Sequence, residues 1–102
     1  MKYKIYRTDT FNDQLQNIVL YIRDEFSLQE AKDYLDYLEN QISNFSSFPF
    51  LGAIPRMTAL AKQGYRVLVS RQNIIFYKVF EDQSTIMLYA IVSSKREYED
   101  LI

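Results

Sequence analysis

This chain of 102 residues contains no cysteine, no histidine and no tryptophan, and the first two absences limit its chemistry. They exclude disulfide bonds, zinc sites of the usual kind, and catalysis by a cysteine nucleophile or a histidine base. Glycine and proline occur only twice each, so tight turns are few and most of the chain is expected to form helices and strands. No apolar run approaches the length of a membrane span, and the amino terminus lacks the apolar stretch of a signal peptide. We therefore expect a cytoplasmic protein without a membrane partner.

The composition is that of a single globular domain. Apolar residues make up 48% and charged residues 25%, which is typical of a chain that folds around one core, here spanning residues 1–102. The formal net charge is −1, but the charges are unevenly distributed. Residues 51–96 include seven basic residues and only two acidic ones, Glu81 and Asp82, which gives a local charge of +5. This basic half predicts an acidic or otherwise anionic partner.

The amino-terminal half predicts a strand followed by two helices. Residues 3–7 are rich in strand-forming types. Apolar residues then recur at spacings of three and four, which predicts an amphipathic helix over residues 10–25. Ser27 and Glu30 fit a capping box at the start of a second helix. The second helix carries an apolar seam that predicts packing against the first as a hairpin, formed by Leu28, Ala31, Leu35, Leu38, Ile42 and Phe45.

The carboxy-terminal half predicts three strands. Pro49 and Pro55 end the second helix and mark the one long connection, because proline lacks a backbone donor. Residues 65–70, 74–80 and 85–92 are β-branched and aromatic runs separated by short polar turns, as in an antiparallel meander. The middle run is apolar on both faces and belongs in the sheet interior, while residues 93–102 are expected to form a short polar helix or tail. This order predicts an α+β domain of two layers.

Five short motifs follow one another along the chain. The first helix carries Asp13-Gln14-Leu15 with Ile18 and Tyr21-Ile22, and the long connection has the spacing Pro-x-x-Gly-x-x-Pro over residues 49–55. The strands carry Gly64-Tyr65-Arg66 and, over residues 73–77, Asn-x-Ile-x-Tyr; the chain closes with Lys95-Arg96-Glu97-Tyr98. Together these motifs resemble the ParE/RelE superfamily of toxins from type II toxin–antitoxin systems, over nearly the whole chain.

The resemblance favours the ParE branch, whose members poison DNA gyrase, a type II topoisomerase, by binding it. It implies a RelE/ParE-like fold, with the strand, helix and strand order predicted above. It also implies a ParD- or RelB-like antitoxin that neutralises the toxin in a hetero-oligomer. The alternative is the RelE branch, whose members cut messenger RNA on the ribosome. A second alternative is a non-toxic binding module or a degenerate toxin.

A nuclease of the RelE branch stabilises the scissile phosphate with basic residues on its central strands. Here Leu68 and Ile74 occupy two of the positions where the resemblance would place such charge. We therefore expect target binding without catalysis, with an endoribonuclease as the alternative. The resemblance implies Arg66, Arg71, Lys95 and Arg96 for target binding, or Arg66, Lys95, Arg96 and Tyr98 for a nuclease.

Further predictions concern individual side chains. Arg66 is expected on an exposed rim of the sheet, where it contributes little to stability. Tyr34 and Tyr37 lie off the apolar seam of the second helix and are expected at a contact surface with a partner or a second copy. The acidic residues of the same helix do not converge on a point, so neither a metal nor a cofactor is expected.

Overall fold

The computed structural model describes residues 2–94. Within that range the chain forms a short strand, a helical hairpin, one further short α-helix, two single-turn 3₁₀ helices and three strands, which confirms the predicted α+β fold. No helix among these residues combines the length and the apolar character needed to cross a membrane. The elements are β1 (Lys4–Arg7), α1 (Asp9–Glu25), α2 (Leu28–Ser43), α3 (Thr58–Lys62), β2 (Arg66–Ser70), β3 (Asn73–Phe80) and β4 (Thr85–Ser93).

Two differences from the predicted elements concern the carboxy-terminal half. The sequence did not predict α3, which is too short for its apolar residues to show a helical period. The polar helix or tail predicted for residues 93–102 falls, from Lys95 onward, outside the described residues.

Side-chain caps determine where the two long helices begin. The Thr8 hydroxyl accepts a hydrogen bond from the backbone N–H of Phe11 at 3.0 Å, and it donates to the carbonyl oxygen of Tyr89 at 2.9 Å. The Ser27 hydroxyl accepts from the backbone N–H of Glu30 at 3.0 Å, as the capping box predicts. Thr8 therefore begins α1 and also ties that beginning to β4.

The four strands form one sheet in the order β1-β4-β3-β2. The neighbouring strands β2, β3 and β4 are antiparallel, which confirms the meander, and β3 lies in the interior as predicted. The first strand pairs in parallel with the last, with Lys4 opposite Thr85 and Arg7 opposite Leu88. The first and last strands of the described chain are therefore neighbours, with β1 at one edge of the sheet and β4 inside it.

A β-bulge in β4 changes which of its side chains face the helices. Phe76 lies opposite Ala90 and Tyr77 lies opposite Leu88, so Tyr89 is an extra residue on β4. The extra residue shifts the alternation of side chains along the strand. As a result Leu88 and Ile91 both enter the main core, although they are three positions apart.

The main core lies between the hairpin and one face of the sheet. It contains the fully buried residues Phe11, Leu38, Phe45, Ile75, Tyr77, Ile86, Leu88 and Ile91. A smaller cluster of Val67, Ile74 and Phe76 occupies the opposite face, where Leu60 of α3 covers it. The prediction that Leu28 belongs to the buried seam of α2 is wrong, because Leu28 is exposed, whereas Leu38 of the same seam is fully buried.

Candidate functional site

Arg66 begins β2 and holds the connection between α2 and α3 in place. Its guanidinium Nη2 donates to the carbonyl oxygen of Gly52 at 2.6 Å and to that of Phe50 at 3.3 Å. The guanidinium carbon also lies 5.1 Å from the centroid of the Phe50 ring. Arg66 is half-buried, and its Nε has no hydrogen-bond partner among the described residues. Arg66 therefore lies on an edge strand of the sheet, as expected, but the prediction that it is freely exposed is wrong.

The same connection is anchored at Gly52 and Ala53. The backbone N–H of Gly52 donates to the hydroxyl of Tyr77 at 2.8 Å, and the buried Tyr77 ring packs on Phe45 with 4.3 Å between centroids. Ala53 exchanges two backbone hydrogen bonds with Val67 on the outer edge of β2, at 2.8 and 2.9 Å. A Cβ atom at Gly52 would lie 2.4 Å from the Val67 carbonyl oxygen. Only glycine allows the connection to approach the strand this closely.

Sequence reasoning did not identify Gly52 and Tyr77 as partners. Two features of the sequence pointed toward this contact: the glycine in the Pro-x-x-Gly-x-x-Pro spacing, and a tyrosine in an apolar strand that was expected to be buried. A buried tyrosine hydroxyl needs a hydrogen-bond partner, but the sequence does not say where along the chain that partner lies.

Arg66→Ala should lower the free energy of unfolding by about 1–3 kcal/mol, because two loop carbonyls lose their donor. Arg66→Lys should recover only part of that loss, since an ammonium group cannot both reach Gly52 and stack on the Phe50 ring. Urea unfolding of the wild type and both variants measures the difference. Losses below about 0.5 kcal/mol for both variants would place Arg66 among ordinary surface residues.

A second polar group, called here the turn cluster, surrounds the turn between β2 and β3. The Tyr34 hydroxyl donates to the side-chain oxygen of Asn73, and the Asn73 amide donates to a carbonyl oxygen of β4 at 3.1 Å. The Ser70 hydroxyl donates to that of Tyr37 at 3.0 Å. The guanidinium carbon of Arg71 lies 3.8 Å from the centroid of the Tyr37 ring. The turn cluster therefore joins α2 to the end of the sheet.

These contacts show that Tyr34 and Tyr37 are also packed within the chain, while their expected role at a contact surface stays a prediction. Both side chains are half-buried and pack against the main core, and both hydroxyls have partners at the turn. A tyrosine off the apolar seam can cover core residues with its ring while its hydroxyl reaches a polar group.

The buried position of Tyr34 changes its acidity. Burial, reinforced by the neighbouring Tyr37, raises the pKa of Tyr34 from 10.0 to about 12, and Arg71 opposes the rise. Below pH 10 the tyrosine keeps its proton in both the folded and the unfolded chain. Between about pH 10 and pH 12 the unfolded chain loses the proton while the folded chain retains it. The contribution of Tyr34 to stability is therefore lost as the pH rises through this window.

An alkaline titration of the folded protein should show a tyrosine that ionises near pH 12, and Tyr34→Phe should remove this component. In urea unfolding, the stability of the wild type should fall more steeply between pH 10 and pH 12 than that of Tyr34→Phe. Ultraviolet absorbance of tyrosinate follows the titration. Identical titration curves for the two proteins would contradict the burial of this hydroxyl.

A groove of about 880 Å³, called here the hairpin groove, lies beside the turn cluster between the helices and the end of β4. Tyr21 and Phe26 line it near the end of α1, and both are exposed. Its charged residues are Glu30, Asp33 and Arg71. The hairpin groove therefore combines aromatic and aliphatic side chains with polar groups and charges of both signs, and the positive charge of the carboxy-terminal half is not concentrated there.

The structure locates only part of the predicted target-binding set. Arg66 lies at the start of β2 in contact with the loop, whereas Arg71 follows the end of the same strand at the hairpin groove. Lys95, Arg96 and Tyr98 lie outside the described residues. Among residues 2–94, no group of three acidic side chains is arranged to hold a metal ion.

The sequence and the fold are both similar to toxin–antitoxin proteins. Residues 5–98 match the family described as the ParE toxin of the type II toxin–antitoxin system parDE. No curated protein matches the sequence. A chain from the chromosomal ParDE system of P. aeruginosa superimposes with a TM-score of 0.73 at 14% identity, over 90% of this chain and 96% of that chain. A chain from the RelBE2 complex of Mycobacterium tuberculosis gives 0.62 at 12% identity, over 91% and 99%.

Proposed function

The chain belongs to the ParE toxin family of type II toxin–antitoxin systems, and we propose that it stops growth in the cytoplasm by binding DNA gyrase. In this proposal the toxin stabilises the state of the enzyme in which DNA is cleaved. The observation that carries it is the family match, which spans residues 5–98 and thus nearly all of the described fold.

The surroundings of Leu68 on β2 and Ile74 on β3 support binding rather than catalysis. Leu68 is half-buried and packs against the main core, and Ile74 is fully buried in the smaller cluster. Neither position offers a charge or a proton donor to a phosphate. A ribonuclease needs such groups close to the scissile bond to stabilise the charge that develops there.

Purified toxin added to DNA gyrase and supercoiled plasmid should cause cleaved DNA to accumulate. The same toxin added to ribosomes that carry messenger RNA should leave the RNA intact. The two assays separate the proposal from its alternative, because a RelE-like enzyme would produce codon-specific cuts without any effect on gyrase. Growth arrest with a DNA-damage response is the expected result in cells.

We also propose that a cognate antitoxin neutralises this protein by binding the hairpin groove. The groove exposes Tyr21 and Phe26 beside Glu30, Asp33 and Arg71. Such a surface suits an amphipathic segment whose apolar residues fill the groove and whose charges of both signs pair along its rim. Segments of this kind commonly fold as they bind.

Co-expression with the neighbouring small open reading frame should restore growth and give a complex that elutes as one species. Tyr21→Glu should weaken that complex by tenfold or more, because it introduces an unpaired charge at an apolar contact. Binding can be measured by calorimetry. Separate elution of the two wild-type proteins, with growth still arrested, would refute the pairing.

A further inference from the structure

The connection at residues 48–57, called here the apolar loop, exposes a run of large apolar side chains. Phe48 and Ile54 are 64% and 67% exposed. Exposed apolar patches of this kind are uncommon on monomeric proteins and mark interaction surfaces. The exposed residues of the loop are Phe48, Phe50, Leu51, Ile54 and Met57.

The backbone of the apolar loop is fixed although its side chains are exposed. Gly52 is held by the Tyr77 hydroxyl on one side and by Arg66 on the other. Ala53 is paired with Val67 through two hydrogen bonds. A loop that is already held in place loses little conformational freedom on binding, which favours tight association. These contacts therefore preorganise the exposed side chains for a partner.

The charges around the apolar loop indicate what kind of partner it fits. Residues 40–80 contain no aspartate and no glutamate. Their basic residues include Arg56 within the loop and Lys62 on α3, and both are exposed. A complementary surface would have apolar side chains bordered by carboxylates.

We infer that the apolar loop is the surface with which this toxin docks on its protein target, at a patch of apolar side chains bordered by carboxylates. The inference rests on the proposed function, because it assumes that a protein is the target. The apolar loop contributes no residue to the hairpin groove. Target binding and antitoxin binding are therefore assigned to separate surfaces and can be lost separately.

Two substitutions at Ile54 test the inference, since both remove the apolar contact and they introduce opposite charges. Ile54→Glu should raise the toxin concentration that gives half-maximal DNA cleavage by purified gyrase by tenfold or more. Ile54→Lys should raise it less, because a lysine can pair with the carboxylates of the target. Leu28→Glu is the matched control, because Leu28 is 57% exposed on α2, away from the loop, and it should behave as the wild type. Growth arrest should follow the same order.

Several results would overturn the inference. Full activity of Ile54→Glu would show that the loop does not bind the target. Equal losses of activity for Ile54→Glu and Ile54→Lys would show that no carboxylates border the target patch. A clear drop in the melting temperature of Ile54→Glu would show that the chain itself covers the loop. If Ile54→Glu loses antitoxin binding, the loop belongs to the antitoxin interface. If the wild type is a dimer and Ile54→Glu is a monomer, the loop binds a second copy. If Ile54→Glu loses binding to plasmid in the absence of gyrase, the loop binds DNA.

The gyrase assignment can fail separately from this inference. If the wild type arrests growth without affecting gyrase, the proposed target is wrong, and growth arrest by the same three variants still decides the role of the loop. If gyrase responds equally to the wild type and to Ile54→Glu, gyrase is still supported as the target, but the loop is not the docking surface. A wild-type chain that does not arrest growth overturns both.

Discussion

Gly52→Ala is expected to lower the free energy of unfolding by about 3 kcal/mol or more, the combined effect of a steric clash and a lost hydrogen bond. The added Cβ would lie 2.4 Å from the Val67 carbonyl oxygen and 2.8 Å from the Tyr77 hydroxyl. Neither neighbour can move away freely, because one is strand backbone and the other belongs to a fully buried ring. The loop must therefore lift from the sheet, which breaks its bonds to Tyr77 and β2.

Gly64→Ala is the control for this prediction. Gly64 has a φ of 90°, and a Cβ there meets nothing within 4 Å. Its replacement should cost about 1–2 kcal/mol from backbone strain alone. Urea unfolding of both variants separates the two causes. At Gly52 there is no room for a side chain, whereas at Gly64 the backbone has a left-handed conformation that glycine adopts most easily. Equal losses would mean that the contacts of Gly52 with Val67 and Tyr77 do not matter.

Leu38→Ala is expected to cost about 2–5 kcal/mol, a large part of the stability of a small domain. Leu38 is fully buried between α2 and the sheet. Its truncation removes apolar contacts and leaves a cavity that the surrounding core cannot fill completely. We expect a lower urea midpoint with an unchanged slope.

Leu28→Ala provides the matched comparison, because it is the same substitution on the same helix. Leu28 is 57% exposed, so its truncation should change the stability by less than about 0.5 kcal/mol. The apolar spacing of α2 assigns both leucines to one seam, and the structure buries only Leu38. Similar losses for the two variants would indicate that α1 or a partner covers Leu28 in solution.

The helical hairpin and the strand meander could be predicted because their signals are local. Apolar residues at helical spacing, a capping serine and runs of β-branched residues each act over a few positions. The pairing of β1 with β4 could not be predicted in this way. Nothing in four residues of a strand specifies a partner that lies 81 positions further along, as Lys4 and Thr85 do. That pairing is settled by the packing of the hairpin against the sheet.

The candidate sites were predicted less well than the fold. The sequence indicated Arg66, but not that Gly52 and Phe50 accept its hydrogen bonds. Charge alone therefore suggested a free arginine where the fold holds a half-buried one. The exposed apolar loop was predicted only as a connection, since its prolines and glycine signal a turn and do not reveal which side chains face water. The assignments of Lys95, Arg96 and Tyr98 stay predictions.

The position of β4 between β1 and β3 has a consequence for the order in which this protein is made. A ribosome releases the hairpin long before residues 85–93, yet β1 has no neighbour in the sheet until those residues arrive. Contacts between distant parts of a chain form slowly and late. We expect the nascent protein to lack its complete sheet until residues 85–93 have left the ribosome. A shorter nascent chain therefore cannot present the complete fold of the toxin, because β1 and β3 both pair with β4.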